Sequence, residues 1–192
     1  YDESDANFTL FSGTQQLTWS YTFGDSAKDY FNDMQKTADG GYIFWARTKN
    51  SSNPCCSTSM CNFLLKINAN GEVELYVCLE EFYNIYPVNM KQTTDGGYII
   101  SYTTINTYNW ANRKSFIRKY DSQGIEEWYQ MWLDWAAGDD YGDEMKYVDI
   151  TSDGGYIMVG YTSYNDGGYY LRKLDSDGED ELLVDDAFSW GG

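Results

Sequence analysis

The chain has 192 residues, enough for one domain with a sizeable core, and its 42% apolar and 22% charged content excludes a disordered composition. Its 13 basic and 30 acidic residues leave a net charge of −17, a field that repels phosphate backbones and anionic lipid and argues against nucleic-acid and membrane-surface binding. No run of about 18 apolar residues occurs, so membrane insertion through a helix is not expected.

Aromatic residues make up 18% of the chain, an excess that suits pleated, half-buried strands, and helical periodicity is absent at any useful length. The chain opens on Tyr1, as a processed, mature chain does and as an incomplete one does. Residues 1–13 read as an N-terminal arm. Its segment Asn7–Ser12 is apolar and strand-like yet precedes any repeat, which makes Phe8, Leu10 and Phe11 the candidate assembly residues. The remainder, residues 14–192, reads as a single β-repeat domain, opening with a strand-like segment at Gln15–Phe23.

Three near-identical heptapeptides organise that domain. Thr37-Ala38-Asp39-Gly40-Gly41-Tyr42-Ile43 returns as Thr93-Thr94-Asp95-Gly96-Gly97-Tyr98-Ile99 and again as Thr151-Ser152-Asp153-Gly154-Gly155-Tyr156-Ile157. The period of about 56 residues points to blades or stacked units, here approximately residues 24–80, 81–133 and 134–192. Each unit predicts four strands. The first strands are Asn32–Lys36, Val88–Gln92 and Tyr147–Ile150, and Asp-Gly-Gly then supplies the positive φ angles of a tight hairpin. Second strands follow, as in Tyr98–Thr103 and Tyr156–Thr162. Third strands are Phe63–Ile67, Ser115–Tyr120 and Tyr169–Leu174. The turns Asn68–Gly71, Asp121–Gly124 and Asp175–Gly178 lead into fourth strands at Val73–Cys78, Ile125–Leu133 and Glu181–Phe188.

A polar insertion in the first unit carries Cys55, Cys56 and Cys61, with Cys78 in a later strand. A direct bridge between the adjacent Cys55 and Cys56 would be strained, so each is expected to pair with Cys61 or Cys78, leaving two connectivities and implying an oxidising compartment. The rival, a four-thiolate zinc site, takes its ligands as spaced pairs rather than neighbours. Two glycosylation sequons, at Asn7 and Asn50, agree with secretion.

The heptapeptide, a loop, and then Lys-Leu-Asp-Ser-Asp-Gly at Lys173–Gly178 resemble the propeller-type repeats of secreted bacterial proteins. That resemblance implies fourth strands that carry Trp and end near Phe-Gly or Gly-Gly, as at Trp19 with Phe23-Gly24 and at Trp190-Gly191-Gly192. The sequence departs from the pattern at Asn68, where Asp is usual, and at Ala46, where Gly160 stands in the third copy. The expected architecture is all-β: three four-stranded, propeller-blade-like repeats with a surplus strand and an N-terminal arm. Closed propellers need about four blades or more, so three units form an open array or part of a longer one. An open array leaves edges that invite strand addition.

Catalytic chemistry is thinly represented. The chain has no His, which removes the histidine-dependent nucleophile systems and the commonest general base, and phosphate loops and nucleophile elbows are absent. The carboxylates Glu80-Glu81, Glu126-Glu127 and the group Asp139, Asp140, Asp143 and Glu144 are the glycosidase candidates, but neighbours in a strand face opposite ways. No cofactor is expected beyond calcium, for which Asp175 and Asp177 supply oxygen ligands around a glycine turn. The same turn reads Asn68-Ala69-Asn70-Gly71 in the first copy, which favours a plain hairpin. The aromatic cluster Trp128, Tyr129, Trp132 and Trp135 suits either core packing or sugar stacking, with alternation burying about half of it. The expected function is a non-catalytic extracellular structural subunit that assembles with itself head-to-tail, the alternative being a glycan- or surface-protein-binding module.

Overall fold

The computed structural model describes residues 28–49, 61–79, 85–106, 109–132, 143–162 and 168–186. The arm with Asn7, Phe8, Leu10 and Phe11, the segment Gln15–Phe23, Asn50, Cys55, Cys56 and the C-terminal Trp190 lie outside the described residues. Every described element is a strand, and no described helix is long and apolar enough to cross a membrane.

Twelve strands form three four-stranded antiparallel sheets, each running in sequence order. The first contains β1 (Asp29–Lys36), β2 (Tyr42–Thr48), β3 (Cys61–Ile67) and β4 (Val73–Cys78). The second contains β5 (Ile85–Gln92), β6 (Tyr98–Asn106), β7 (Asn109–Tyr120) and β8 (Glu126–Trp132). The third contains β9 (Asp143–Ile150), β10 (Tyr156–Thr162), β11 (Gly168–Leu174) and β12 (Asp180–Asp186). The chain divides into two compact units: Tyr1–Tyr83, which holds the first sheet, and Asn84–Gly192, which holds the other two.

All six described turns within the sheets share one design. At the first, the Gly40 N–H donates to the Thr37 carbonyl (3.0 Å) and the Thr37 N–H to the Gly41 carbonyl (2.9 Å). Gly40, Gly71, Gly96, Gly124, Gly154 and Gly178 all have positive φ, between 79° and 87°, as the last turn residue of a three-residue hairpin requires. Within each Asp-Gly-Gly the first glycine supplies the positive φ that the turn was expected to need. The second is required by crowding. A Cβ on Gly41, Gly97 or Gly155 would stand 2.2, 2.3 or 2.4 Å from the carbonyl oxygen of Ile67, Tyr120 or Leu174, the last residue of the third strand.

Each first strand is bulged in register, with Asn32, Val88 and Lys146 left unpaired opposite the second strand. Each fourth strand is bulged as well, at Glu74, Glu127 and Glu181. A bulge bends a strand and re-aims a side chain.

In the first unit the core gathers Phe44, Cys61, Phe63, Leu65 and Ile67. In the second unit the two sheets pack face to face, with Ile99 and Ile117 of the second sheet meeting Met145, Val148, Tyr156, Met158, Tyr170 and Leu174 of the third. Strand β9 lies against β5, β6 and β7. Gly160 fits this core because Tyr170 sits directly across from it, and a Cβ there would meet the ring at 2.2 Å. The equivalent pairs trade volume differently, Ala46 with Phe63 and Tyr102 stacked on Phe116 at 5.0 Å.

Two glycine substitutions separate the two roles. Gly96→Ala should cost about 1–2 kcal/mol, the penalty of a side chain at positive φ. Gly97→Ala should cost more, about 3 kcal/mol, since the Tyr120 carbonyl must move to admit it. Urea unfolding of both variants checks the order, and equal costs would contradict the crowding account.

Candidate functional site

The turn end of each sheet carries the same four side chains. In the second sheet the Asp95 carboxylate accepts from the Thr93 hydroxyl (2.5 Å), the Gly97 N–H (3.0 Å) and Lys119 Nζ (2.8 Å). Lys119 reaches on to Glu127 (2.6 Å) and the Tyr120 carbonyl (3.3 Å). The first sheet repeats this with Thr37, Asp39, Lys66 and Glu74, and the third with Thr151, Asp153, Lys173 and Glu181. The glutamate is in each case the bulged residue of the fourth strand, turned by the bulge toward the lysine. One clasp therefore ties the first hairpin to the third and fourth strands.

Electrostatics keep the clasp charged. Bonds from Lys66, Thr37 and the Gly41 N–H hold Asp39 well below the usual carboxylate range. Burial pushes Asp95 upward, but Lys119, Thr93 and Gly97 outweigh it and the group sits at about 2. Asp153 is lowered by Lys173, Thr151 and Gly155. Burial works against the charge of Lys66 and Lys119, yet their carboxylate partners raise both above the ordinary lysine value, and Asp153 with Glu181 raises Lys173 to about 12. A general acid needs a raised carboxyl and a basic lysine a lowered ammonium; the shifts here run the other way.

A second polar group lies between the sheets of the second unit. Asn89, set by the β5 bulge, donates to the Val148 carbonyl (2.8 Å) and accepts from the Val148 N–H (3.1 Å). One side-chain amide thus satisfies both backbone groups of a residue in the neighbouring sheet. Ser101 bonds Asn89 Oδ1 at 2.9 Å, and Ser115 accepts the Met145 N–H at 3.0 Å. On the opposite face of the second sheet, buried Arg118 donates to the Tyr102 hydroxyl (2.8 Å), pairs with Glu126 and lies 5.0 Å from the centre of the Tyr129 ring. Burial raises Tyr102 above the ordinary phenol range.

The candidates named from sequence are dispersed by the fold. Glu126 and Glu127 serve different cations, Arg118 and Lys119, as residues on opposite faces must. Glu144 pairs with Lys146, while Glu80, Glu81, Asp139 and Asp140 lie outside the described residues. Asp175 Oδ1 accepts the Asp177 and Glu179 N–H groups, both at 2.9 Å. Asn68 does the same for Asn70 and Glu72, which explains why an amide replaces the acid there: the turn needs an acceptor oxygen, not a charge. Among the described residues no group of three or more Cys, Asp or Glu could hold a metal. Of the aromatic cluster, Trp128 and Trp132 pack on the core of the second unit, Tyr129 is exposed, and Trp135 lies outside the described residues. None of the described cysteines is free. Cys61 stands across from Thr48 and Cys78 across from Phe63.

Sequence reasoning passed over Asn89 and the lysine–glutamate pair. Its available signal was the constant placement of Lys66, Lys119 and Lys173 two residues before the second turn.

Two outcomes follow. Replacing Asn89 with Ala strands the Val148 N–H and carbonyl and should cost about 2–4 kcal/mol, read from the denaturation midpoint; a cost below about 0.5 kcal/mol would contradict the clamp. Second, Asp39, Asp95 and Asp153 are lowered on folding, so their stabilisation is complete above the unfolded value near 3.8 and is lost as pH falls toward about 2. With no His in the chain, Tm should be nearly flat from about pH 5 to 9 and fall steeply below about pH 4; a transition near pH 6 would contradict this.

No family model matches the chain, and no curated protein is similar to it.

Proposed function

We propose that this protein is a non-catalytic, extracellular structural subunit whose four-stranded sheets are propeller-blade-like repeats and which assembles with itself by strand addition. The observation that carries the reading is the strand that ends the third sheet. Among the described residues, nothing pairs with the outer side of β12. Its sequence is Asp180-Glu181-Leu182-Leu183-Val184-Asp185-Asp186, an apolar centre between acidic ends. Two copies of β12 paired antiparallel would set acids opposite acids, which is unfavourable. A neutral strand matches the apolar centre without that cost. The arm segment Asn7–Ser12, with Phe8, Leu10 and Phe11, is uncharged and of the right length. An arm that completes the sheet of the next copy makes a head-to-tail contact, which extends into a filament where the rotation does not close.

The commitment of one aspartate, one lysine and one glutamate in each repeat to a structural clasp supports the non-catalytic part. Bridges from Cys61 and Cys78 to Cys55 and Cys56, with glycans at Asn7 and Asn50, belong to the same extracellular reading. Calcium at Asp175 and Asp177 is the one cofactor it admits, supplementary to the turn. The competing reading, a glycan-binding module, is favoured by one observation: Tyr147, Tyr161 and Tyr169 share a face of the third sheet.

Negative-stain electron microscopy should show filaments from the full chain and none after removal of residues 1–13 or in the full-length Leu10→Asp variant. Compact single particles from the unaltered chain would overturn the assembly reading.

A further inference from the structure

The second and third sheets meet through unlike faces. The second contributes Ile99 and Ile117, with Trp128 and Trp132 beside them, and the third receives these on Met145, Val148 and Met158. Trp128 also lies over the buried turn glycine Gly178, where a Cβ would stand 2.8 Å from its ring. The register of the repeats locates the same positions on the other sheets. Met145 and Val148 pair with Gly160 and Met158, which the repeat aligns with Ala46 and Phe44, and the first-sheet residues paired with those two are Phe31 and Met34. On the inserting side, Ile157 and Leu171 of the third sheet stand where Ile99 and Ile117 stand in the second. Val159, Tyr169 and Leu182 likewise take the places of Ser101, Ser115 and Trp128.

Equivalent positions differ in exposure on both sides of the contact. Met145 and Val148 are buried, but Phe31 is 50% and Met34 38% exposed, even though the Phe31 ring meets Phe44 of its own sheet edge-on at 5.5 Å. Gly71, the counterpart of Gly178, is only partly buried. Ser101 and Ser115 are buried, but Val159 is 40%, Tyr169 72% and Leu182 48% exposed. A face meant for water would not carry Val and Tyr where its buried counterpart carries serines. Exposed apolar patches of this kind mark interaction sites, and the chain itself shows what fits each one. The first sheet presents the receiving half of the contact, and the third presents the inserting half.

We propose that the Val159–Tyr169 face of the third sheet in one copy covers the Phe31–Met34 face of the first sheet in a second copy, repeating between chains the contact that the second and third sheets make within one. Each copy carries one half of each kind, so the contact is head-to-tail. Sheets stack in this way about 10 Å apart with interdigitated side chains. The polar links of the internal contact do not obstruct its repetition. There, Asn89 satisfies the Val148 backbone; here Met34 takes the place of Val148, and its N–H is already bonded by Asp33 of its own strand at 2.8 Å. Lys91 and Asp149 form an ion pair inside the chain at 3.4 Å. Their counterparts between chains are Asp149 and Gln35, so like charges are not forced together. Tyr147, whose ring lies 5.4 Å from Lys91, is occupied within its own chain and is not required. The contact does not rest on the arm: strand addition extends an array through the β12 edge, whereas this one joins copies through faces.

The test uses full-length protein carrying Leu10→Asp, so that arm-driven assembly is silent. Salt at about 500 mM screens the repulsion between copies of net charge −17. Analytical ultracentrifugation across a dilution series should show concentration-dependent association. A head variant, Val159→Lys with Tyr169→Lys, and a tail variant, Phe31→Lys with Met34→Lys, should each associate at least about tenfold more weakly. An equimolar mixture of the two should recover a species of two-chain mass and no larger, because one intact head then meets one intact tail. That recovery also shows both variants to be folded, and unchanged circular dichroism checks each alone. A parent chain that stays monomeric at every concentration would overturn the proposal, and so would a mixture of folded variants that stays monomeric. Full association of the tail variant beside a monomeric head variant would mean that like faces pair, which overturns it too. Filaments that persist with the arm intact while the mixture stays monomeric sink this contact alone. Compact particles from the unaltered chain, with recovery in the mixture, sink strand addition alone.

Discussion

Each sheet is organised around one aspartate. Asp39, Asp95 or Asp153 accepts from the threonine two residues earlier, from the N–H of the second glycine and from a lysine on the third strand. The lysine then holds the glutamate of the fourth-strand bulge. Other features of the repeat serve this contact. The first glycine closes the turn that carries the carboxylate, and the second leaves room for the third-strand carbonyl and, in the second sheet, for the Lys119 ammonium, which a Cβ on Gly97 would meet at 2.7 Å. Exposed ion pairs contribute little by themselves. Lys119 is different, because its side chain is almost wholly buried, with one carboxylate partner in the β5–β6 turn and the other on β8.

How much of this was readable in advance depended on the range of the interaction. The strands Tyr156–Thr162 and Val73–Cys78 appear as expected, because alternation and turn glycines are local signals. First strands begin earlier than expected, at Asp29, Ile85 and Asp143, because bulges at Asn32, Val88 and Lys146 break the alternation that marks a strand. Strand β7 begins at Asn109 rather than Ser115; the added stretch, Asn-Trp-Ala-Asn-Arg-Lys, is polar and is placed by backbone pairing with β6. The Asn89 clamp was invisible, since its partner Val148 lies 59 residues away and belongs to another sheet.

The same division separates structure from function. The side-chain oxygens of the repeated heptapeptide are engaged in holding the sheet. Val159 and Tyr169 face outward on the third sheet, 40% and 72% exposed, and take no part in these clasps. Neither is part of the motif. In this molecule the repeat explains how a sheet stands.

A double-mutant cycle between Asp95 and Lys119, with urea unfolding of Asp95→Asn, Lys119→Met and the double variant, tests the clasp most directly. The account predicts that the two substitutions are not additive, with a coupling of about 1 kcal/mol after allowance for the exposed carboxylate. Additivity within about 0.3 kcal/mol would mean that the aspartate and lysine act independently, and the organisation of the sheet would have to be sought in the backbone turns alone.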